Sequence, residues 1–229
     1  MKTTKFFTVV VLFSTILTVH AQYNCSRFYP FEEGVECEYF FYDALGNQAG
    51  AVVYAINSVT EVAGIQTANM SHSLQDNNGN RLQGSEYTLT CDGGTVAIDF
   101  NSFVRPGMLG SLGSDYDITG TNLVIPNDLT LGDALPDAGL NINATVGGVG
   151  MNFSISFNDR TVVAEETITT PAGTFDCYVI AFNMEMNMGY PYTISSKMWL
   201  AEGPGMVQQE DFDASGNLMN RIVLNSFND

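Results

Sequence analysis

Apolar and polar residues alternate with a period of two along most of this chain. Met151, Phe153, Ile155 and Phe157 alternate with Asn152, Ser154, Ser156 and Asn158. Val96, Ile98 and Phe100 alternate with Ala97, Asp99 and Asn101, and Tyr87, Leu89 and Cys91 oppose Thr88 and Thr90. Successive side chains of a strand point to opposite faces, so this period predicts strands with one buried face. Helical spacing is not sustained anywhere. The best helix candidate, Val104 to Leu112, is short and contains Pro106, Gly107 and Gly110, all poor in a helix interior.

One turn pattern recurs between these runs: Asp43-Ala-Leu-Gly46-Asn47, Asp76-Asn-Asn-Gly79-Asn80 and Asp213-Ala-Ser-Gly216-Asn217. Asp bonds the backbone amides of a tight turn, and Gly takes the left-handed conformation that a type I turn with a bulge requires. Each predicts a hairpin tip. None has the Asp-x-Asp/Asn-x-Asp/Asn-Gly spacing or the terminal Glu of a calcium loop. Pro171-Ala-Gly173 and Gly203-Pro-Gly205 punctuate further strand pairs, and looser stretches run from Pro106 to Gly120 and from Pro126 to Gly139. Neither is long enough to be a flexible inter-domain linker. The expectation is one all-β, antiparallel, hairpin-connected domain over 22–229, of about ten strands with at most one or two short helices. It divides into an N-terminal hairpin group (about 22–103) and a C-terminal one (about 121–229).

The first 21 residues read differently. Lys2 and Lys5 precede an apolar run, Phe6 to Val19, broken only by Thr and Ser, and Val19-His20-Ala21 offers a cleavage site. This is the pattern of a secretory signal peptide, too short and wrongly flanked for a spanning helix. A periplasmic or extracellular protein is expected, with no stable membrane insertion of the mature chain. Loss of Lys2 and Lys5 would take the formal net charge from −17 to −19. Such a chain repels phosphate backbones, which excludes nucleic acid as a partner. Four Asn-x-Ser/Thr sequons, at Asn24, Asn69, Asn143 and Asn152, match chance in so polar a chain. Cys25, Cys37, Cys91 and Cys177 allow three pairings in an oxidising compartment, and no two have redox-motif or zinc-knuckle spacing. Lipidation of Cys25 is disfavoured, because Gln22-Tyr23-Asn24 lacks the small residue that such processing needs.

Several segments fall in a recognisable order: Gly84-Ser-Glu-Tyr-Thr-Leu-Thr-Cys91, Thr121-Asn-Leu-Val-Ile-Pro126, Leu131-Gly-Asp-Ala-Leu135, Thr169 to Ile180, Lys197 to Gln208, and the hairpin through Gly216. In these the chain resembles the TapB-like family of exported bacterial proteins, itself similar to LolA/LolB-type lipoprotein carriers. The resemblance spans nearly all of the mature chain. It implies a single twisted antiparallel sheet curled into a half-open barrel, and no catalytic residues. It places Cys25, Cys91 and Cys177 where cysteine is expected, whereas Cys37 takes the place of an ordinary strand residue. The pairing it favours is Cys25 with Cys91.

The candidate chemistry is thin. His72, the single histidine after the leader, lies between Ser71 and Ser73 with no Gly-x-Ser-x-Gly elbow to expose a nucleophile. It reads as an ordinary strand histidine. Glu165 or Glu166 with Asp211 or Asp213 could form a glycosidase pair, but 25 acidic residues make chance pairs certain and Trp199 is the lone tryptophan. Met184, Met186 and Met188 share a strand face with Phe182. Thioethers suit Cu(I), yet without His or Cys beside them they read as an adaptable apolar wall. No metal or cofactor is expected.

A curled sheet covers its concave face with a helix, with its own loops, or with a ligand. Phe182, Met184, Met186, Met188, Met198 and Leu200 are the candidate pocket lining, and a closed core built from the same residues is the alternative. The first functional reading is therefore a non-enzymatic carrier of an apolar ligand or acyl chain in the cell envelope. The second is a structural or protein-interaction module of the envelope, and the third a hydrolase.

Overall fold

A computed structural model describes residues 25–103, 116–187 and 189–228; the expected signal peptide (1–21) and the helix candidate at Val104 to Leu112 lie outside them. The described residues form thirteen strands and one 3-10 turn at Phe100–Phe103. In chain order the strands are β1 (Glu36–Asp43), β2 (Gln48–Val62), β3 (Ile65–Gln75), β4 (Arg81–Cys91), β5 (Thr95–Ile98), β6 (Tyr116–Thr121) and β7 (Leu123–Pro126). Then come β8 (Ala138–Val146), β9 (Val149–Thr170), β10 (Gly173–Asn187), β11 (Pro191–Ala201), β12 (Gly205–Phe212) and β13 (Leu218–Asn228). No helix among the described residues is long and apolar enough to cross a membrane.

All thirteen belong to one antiparallel sheet, in the order β6-β8-β9-β10-β11-β12-β13-β1-β2-β3-β4-β5-β7. The three Asp-Gly-Asn turns are hairpin tips built alike. Asp43 Oδ1 accepts from the amides of Leu45 and Asn47, Asp76 Oδ1 from Asn78 and Asn80, and Asp213 Oδ1 from Ser215 and Asn217. In each, glycine has a positive φ, 82° at Gly46, 78° at Gly79 and 80° at Gly216. The amides that hold these carboxylates keep their pKa values below the usual range.

The curl of the sheet follows from its two edges. Edge strands β6 and β7 lie at opposite ends of the strand order but are joined through Asn122 alone. Two extended residue steps span about 7 Å, so the edges must meet there. The sheet is thus nearly closed into a barrel with one unsealed seam. Asn122 Oδ1 accepts a hydrogen bond from the Phe100 amide beside that seam.

Two segments outside the strands close part of the interior. The N-terminal segment is bonded to β4 by the Cys25–Cys91 disulfide, and Ser26 Oγ accepts from the amides of Phe28 and Tyr29. Asn127 ties the segment to the loop after β7, its side chain accepting from the Arg27 amide and donating to Cys25 O. Phe28, Leu129 and Leu135 are thereby packed against Val162, Ile180 and Leu200. Complete burial of a side chain such as Phe28 stabilises by about 1.5–3 kcal/mol. The loose stretch from Pro126 to Gly139 is accordingly core-forming.

Candidate functional site

The remainder of the interior is a cavity of about 360 Å³, partly open to solvent. That lies within the range of small-molecule sites, roughly 300–1,000 Å³. One wall is aromatic. Tyr54 packs edge-on against Tyr39 and Tyr87, with ring centroids 5.7 and 6.2 Å apart, and the His72 ring lies 5.7 Å from Tyr54 and 6.1 Å from Tyr87. The opposite wall is formed by Phe182, Met184, Met198 and Met206, three of them methionines, whose unbranched side chains adapt in shape. Tyr39 is fixed by its hydroxyl, which donates to Met206 O at 2.8 Å. Ser85 Oγ lies 3.3 Å from both ring nitrogens of His72. Burial lowers the His72 pKa, which favours the neutral ring at physiological pH.

Among the described residues the wall has no Asp or Glu, although the chain has 25, and its single charged residue is Arg160, only 2 % exposed. A bulge puts it there. Asn158 pairs with Asn183 and Thr161 with Ala181, so Asp159 and Arg160 together oppose Phe182. Asp159 takes a positive φ of 56°, and its Oδ2 accepts from Asn183 Nδ2 at 3.1 Å. The extra residue reverses the strand's parity. Phe157 and Arg160 then both face inward, whereas strict alternation after Phe157 would have pointed Asp159 in. Arg160 Nη1 donates to Val124 O at 3.1 Å and Pro136 O at 2.6 Å, tying β9 across the seam to β7. Nη2 is buried and has no partner among the described residues. Burial lowers the Arg160 pKa to about 10, opposed by nearby Tyr29 and Asp137, so the guanidinium stays charged at neutral pH.

Residues 32–224 match the DUF3108-like family. The chain belongs to that family. Two crystal structures are similar in fold. A predicted exported protein from Bacteroides fragilis with a YmcC-like fold has 23 % identity and a TM-score of 0.72, the match covering 90 % of this chain and all of that one. A predicted lipoprotein from Parabacteroides distasonis has 23 % identity and a TM-score of 0.72, covering 89 % of this chain and 99 % of that one. No curated protein matches the chain in sequence.

In this DUF3108-like chain the expected pocket residues divide. Phe182, Met184 and Met198 line the cavity. Leu200 is fully buried in the adjoining core, against Phe28. Met186 is not at the cavity; its sulfur accepts from the Tyr192 hydroxyl at 3.3 Å, near the far end of the β10–β11 hairpin. β10 outruns the cavity, so one strand face passes from the interior to a projecting tip. Met188 lies outside the described residues.

The other candidates are separated too. Glu166 accepts from Trp199 Nε1 at 2.8 Å, and with Glu165 it borders a cleft that includes Arg27, Asp176 and Glu202. Asp211 is buried elsewhere, accepting from Ser196 Oγ at 2.6 Å and Gln209 Nε2 at 2.9 Å, while Asp213 holds its turn. No cluster of three or more His, Cys, Asp or Glu able to hold a metal occurs among the described residues. Sequence reasoning missed the tyrosine wall and Arg160. Tyr54 and Tyr87 follow the strand period but are far apart in sequence, and Arg160 violates the period through the bulge.

Proposed function

We propose that this protein is exported and, without catalysing a reaction, binds or carries an apolar ligand or acyl chain in the cell envelope. The observation that carries the reading is the cavity, lined by aromatic and methionine side chains inside a nearly closed barrel. Methionine walls adapt to flexible ligands, and apolar lining with a few polar groups is what small-molecule sites require. Export is supported by the apolar leader with its Val19-His20-Ala21 end and by the names of the two structural relatives. The resemblance of the sequence to the TapB-like family, itself similar to LolA/LolB-type carriers, fits the same picture. The non-enzymatic reading is supported by the surroundings of His72, which are tyrosines and Ser85, with no carboxylate in the wall among the described residues.

A second reading, a protein-interaction module, is favoured by the β10–β11 tip, where Tyr190 is 86 % and Tyr192 47 % exposed. Native mass spectrometry of gently purified protein, with its organic extract analysed in parallel, separates the two. A stoichiometric apolar adduct is expected. Met198→Glu should weaken its retention at least tenfold, since a carboxylate in an apolar wall is costly to desolvate, whereas Met186→Glu should retain it. A bare protein that also fails to take up added dodecanol would sink the carrier reading.

A further inference from the structure

The cavity is apolar, but its charge is not neutral, and the sign is opposite to that of the chain. The sequence has 25 acidic residues against eight basic ones, yet among the described residues the lining has no carboxylate and one guanidinium. Arg160 is almost wholly buried. The two ion pairs among the described residues are Arg27–Glu202 and Arg221–Glu210, and neither involves it. Its Nη1 is used by Val124 O and Pro136 O, and its Nη2 by no atom among the described residues.

A buried charge without a directly paired counter-ion is expensive, and a purely structural role would be expected to satisfy both nitrogens. The two carbonyls satisfy Nη1 alone, and Asp137, near enough to favour the charged form, makes no ion pair with the guanidinium. Resting on the carrier reading above, we propose that the ligand is a single-chain amphiphile with an anionic head group, carboxylate or phosphate. The head pairs with Arg160, and the tail lies between the tyrosine wall and Met184 and Met198. Guanidinium is the side chain best matched to such anions, because its forked donors meet two oxygens at once. Nη2 is shielded by its protein neighbours, so the head group reaches it by rotamer adjustment in the wall, a change common on binding. Burial disfavours the charged form of His72, which leaves Arg160 as the charge that selects the head group.

The test compares dodecanoic acid, dodecyl phosphate and 1-dodecanol, each below its aggregation threshold, by displacement of a neutral fluorescent dye at pH 8. At least one anion should bind ten times or more tighter than the alcohol, a difference of about 1.4 kcal/mol, and the better of the two names the head group. In Arg160→Met that preference should vanish while alcohol affinity is unchanged. Equal affinities for acid, phosphate and alcohol in the native protein would overturn the head-group assignment and leave the carrier reading standing. No binding by any of the three would overturn both. A preference that survives in folded Arg160→Met would remove Arg160 from the site. Should that variant not fold, the native comparison still decides the charge preference and Arg160→Lys tests the residue: losing the forked donors should lower the preference at least threefold, and an unchanged preference would count against Arg160.

Discussion

Cys37 and Cys177 show how burial sets chemistry one residue at a time. Both thiols are free and buried, and desolvation raises each pKa to about 11, with Asp176 and Glu166 adding to the effect at Cys177. A raised thiol pKa means that the folded state favours the protonated form. The stabilisation is complete below the unfolded value of about 9 and is lost as pH rises through 11. The chemical-denaturation midpoint should therefore fall between pH 9 and 11. At pH 7.5 the native protein should resist iodoacetamide at both cysteines, and the denatured protein should take up two equivalents by mass. Rapid alkylation of either thiol in the native state would contradict its burial. In the resemblance to the TapB-like family, Cys37 takes the place of an ordinary strand residue. Its position in β1, facing the cavity, suits a small apolar side chain, for which a thiol serves.

At the scale of elements, the hairpin tips were legible because the interactions that make them span five residues. The Asp-to-amide bonds and the positive-φ glycine need no tertiary partner. Gly46→Ala should cost about 1–2 kcal/mol, the backbone penalty alone, since a Cβ there meets nothing. Gly205 shares the backbone conformation but not the surroundings: a Cβ on it would strike the Tyr29 ring. Gly205→Ala should cost about 3 kcal/mol or more, adding overpacking to the backbone term, and should perturb the cavity that Tyr29 lines. Urea unfolding of the two variants checks the difference, and equal losses would mean that Tyr29 yields freely. Strand faces were less legible. β10 buries Val179 and Ile180 alike, 1 % and 0 % exposed, because its two faces serve two different core clusters. An unbroken apolar run is the signature of such a strand. Leu200 and Met186 leave the cavity for other reasons: Phe28 packs over Leu200, and β10 runs on past the cavity at Met186.

For the whole molecule, the seam is the feature that no local signal announces. β6 is paired on one side only and is mostly exposed, whereas β10 and β11 each have two neighbours. In native-state hydrogen exchange, β6 amides should exchange at least about a hundredfold faster than those at the centre of β10 and β11. Comparable protection would show the seam sealed by hydrogen bonds. The same closure decides whether a cavity exists. The segment at Phe28 and the loop at Leu129 and Leu135 fill one part of the interior. The remaining part is bounded by residues from both hairpin groups, as the facing of Tyr54 and Tyr87 towards Phe182 and Met184 requires.

The sequence by itself determined the all-β class, the hairpin order, the three Asp-Gly-Asn tips and the methionine-bearing face, because each depends on neighbours within a few residues. The tertiary structure decided the rest: the seam, the plug that takes Leu200 out of the pocket, the tyrosine wall and the inward turn of Arg160. These depend on where an extra residue enters a strand and on which edges of a thirteen-stranded sheet meet. A period-two pattern does not record a bulge, which costs one residue and reverses every face beyond it. The residue that gives this cavity its charge lies on that reversed face.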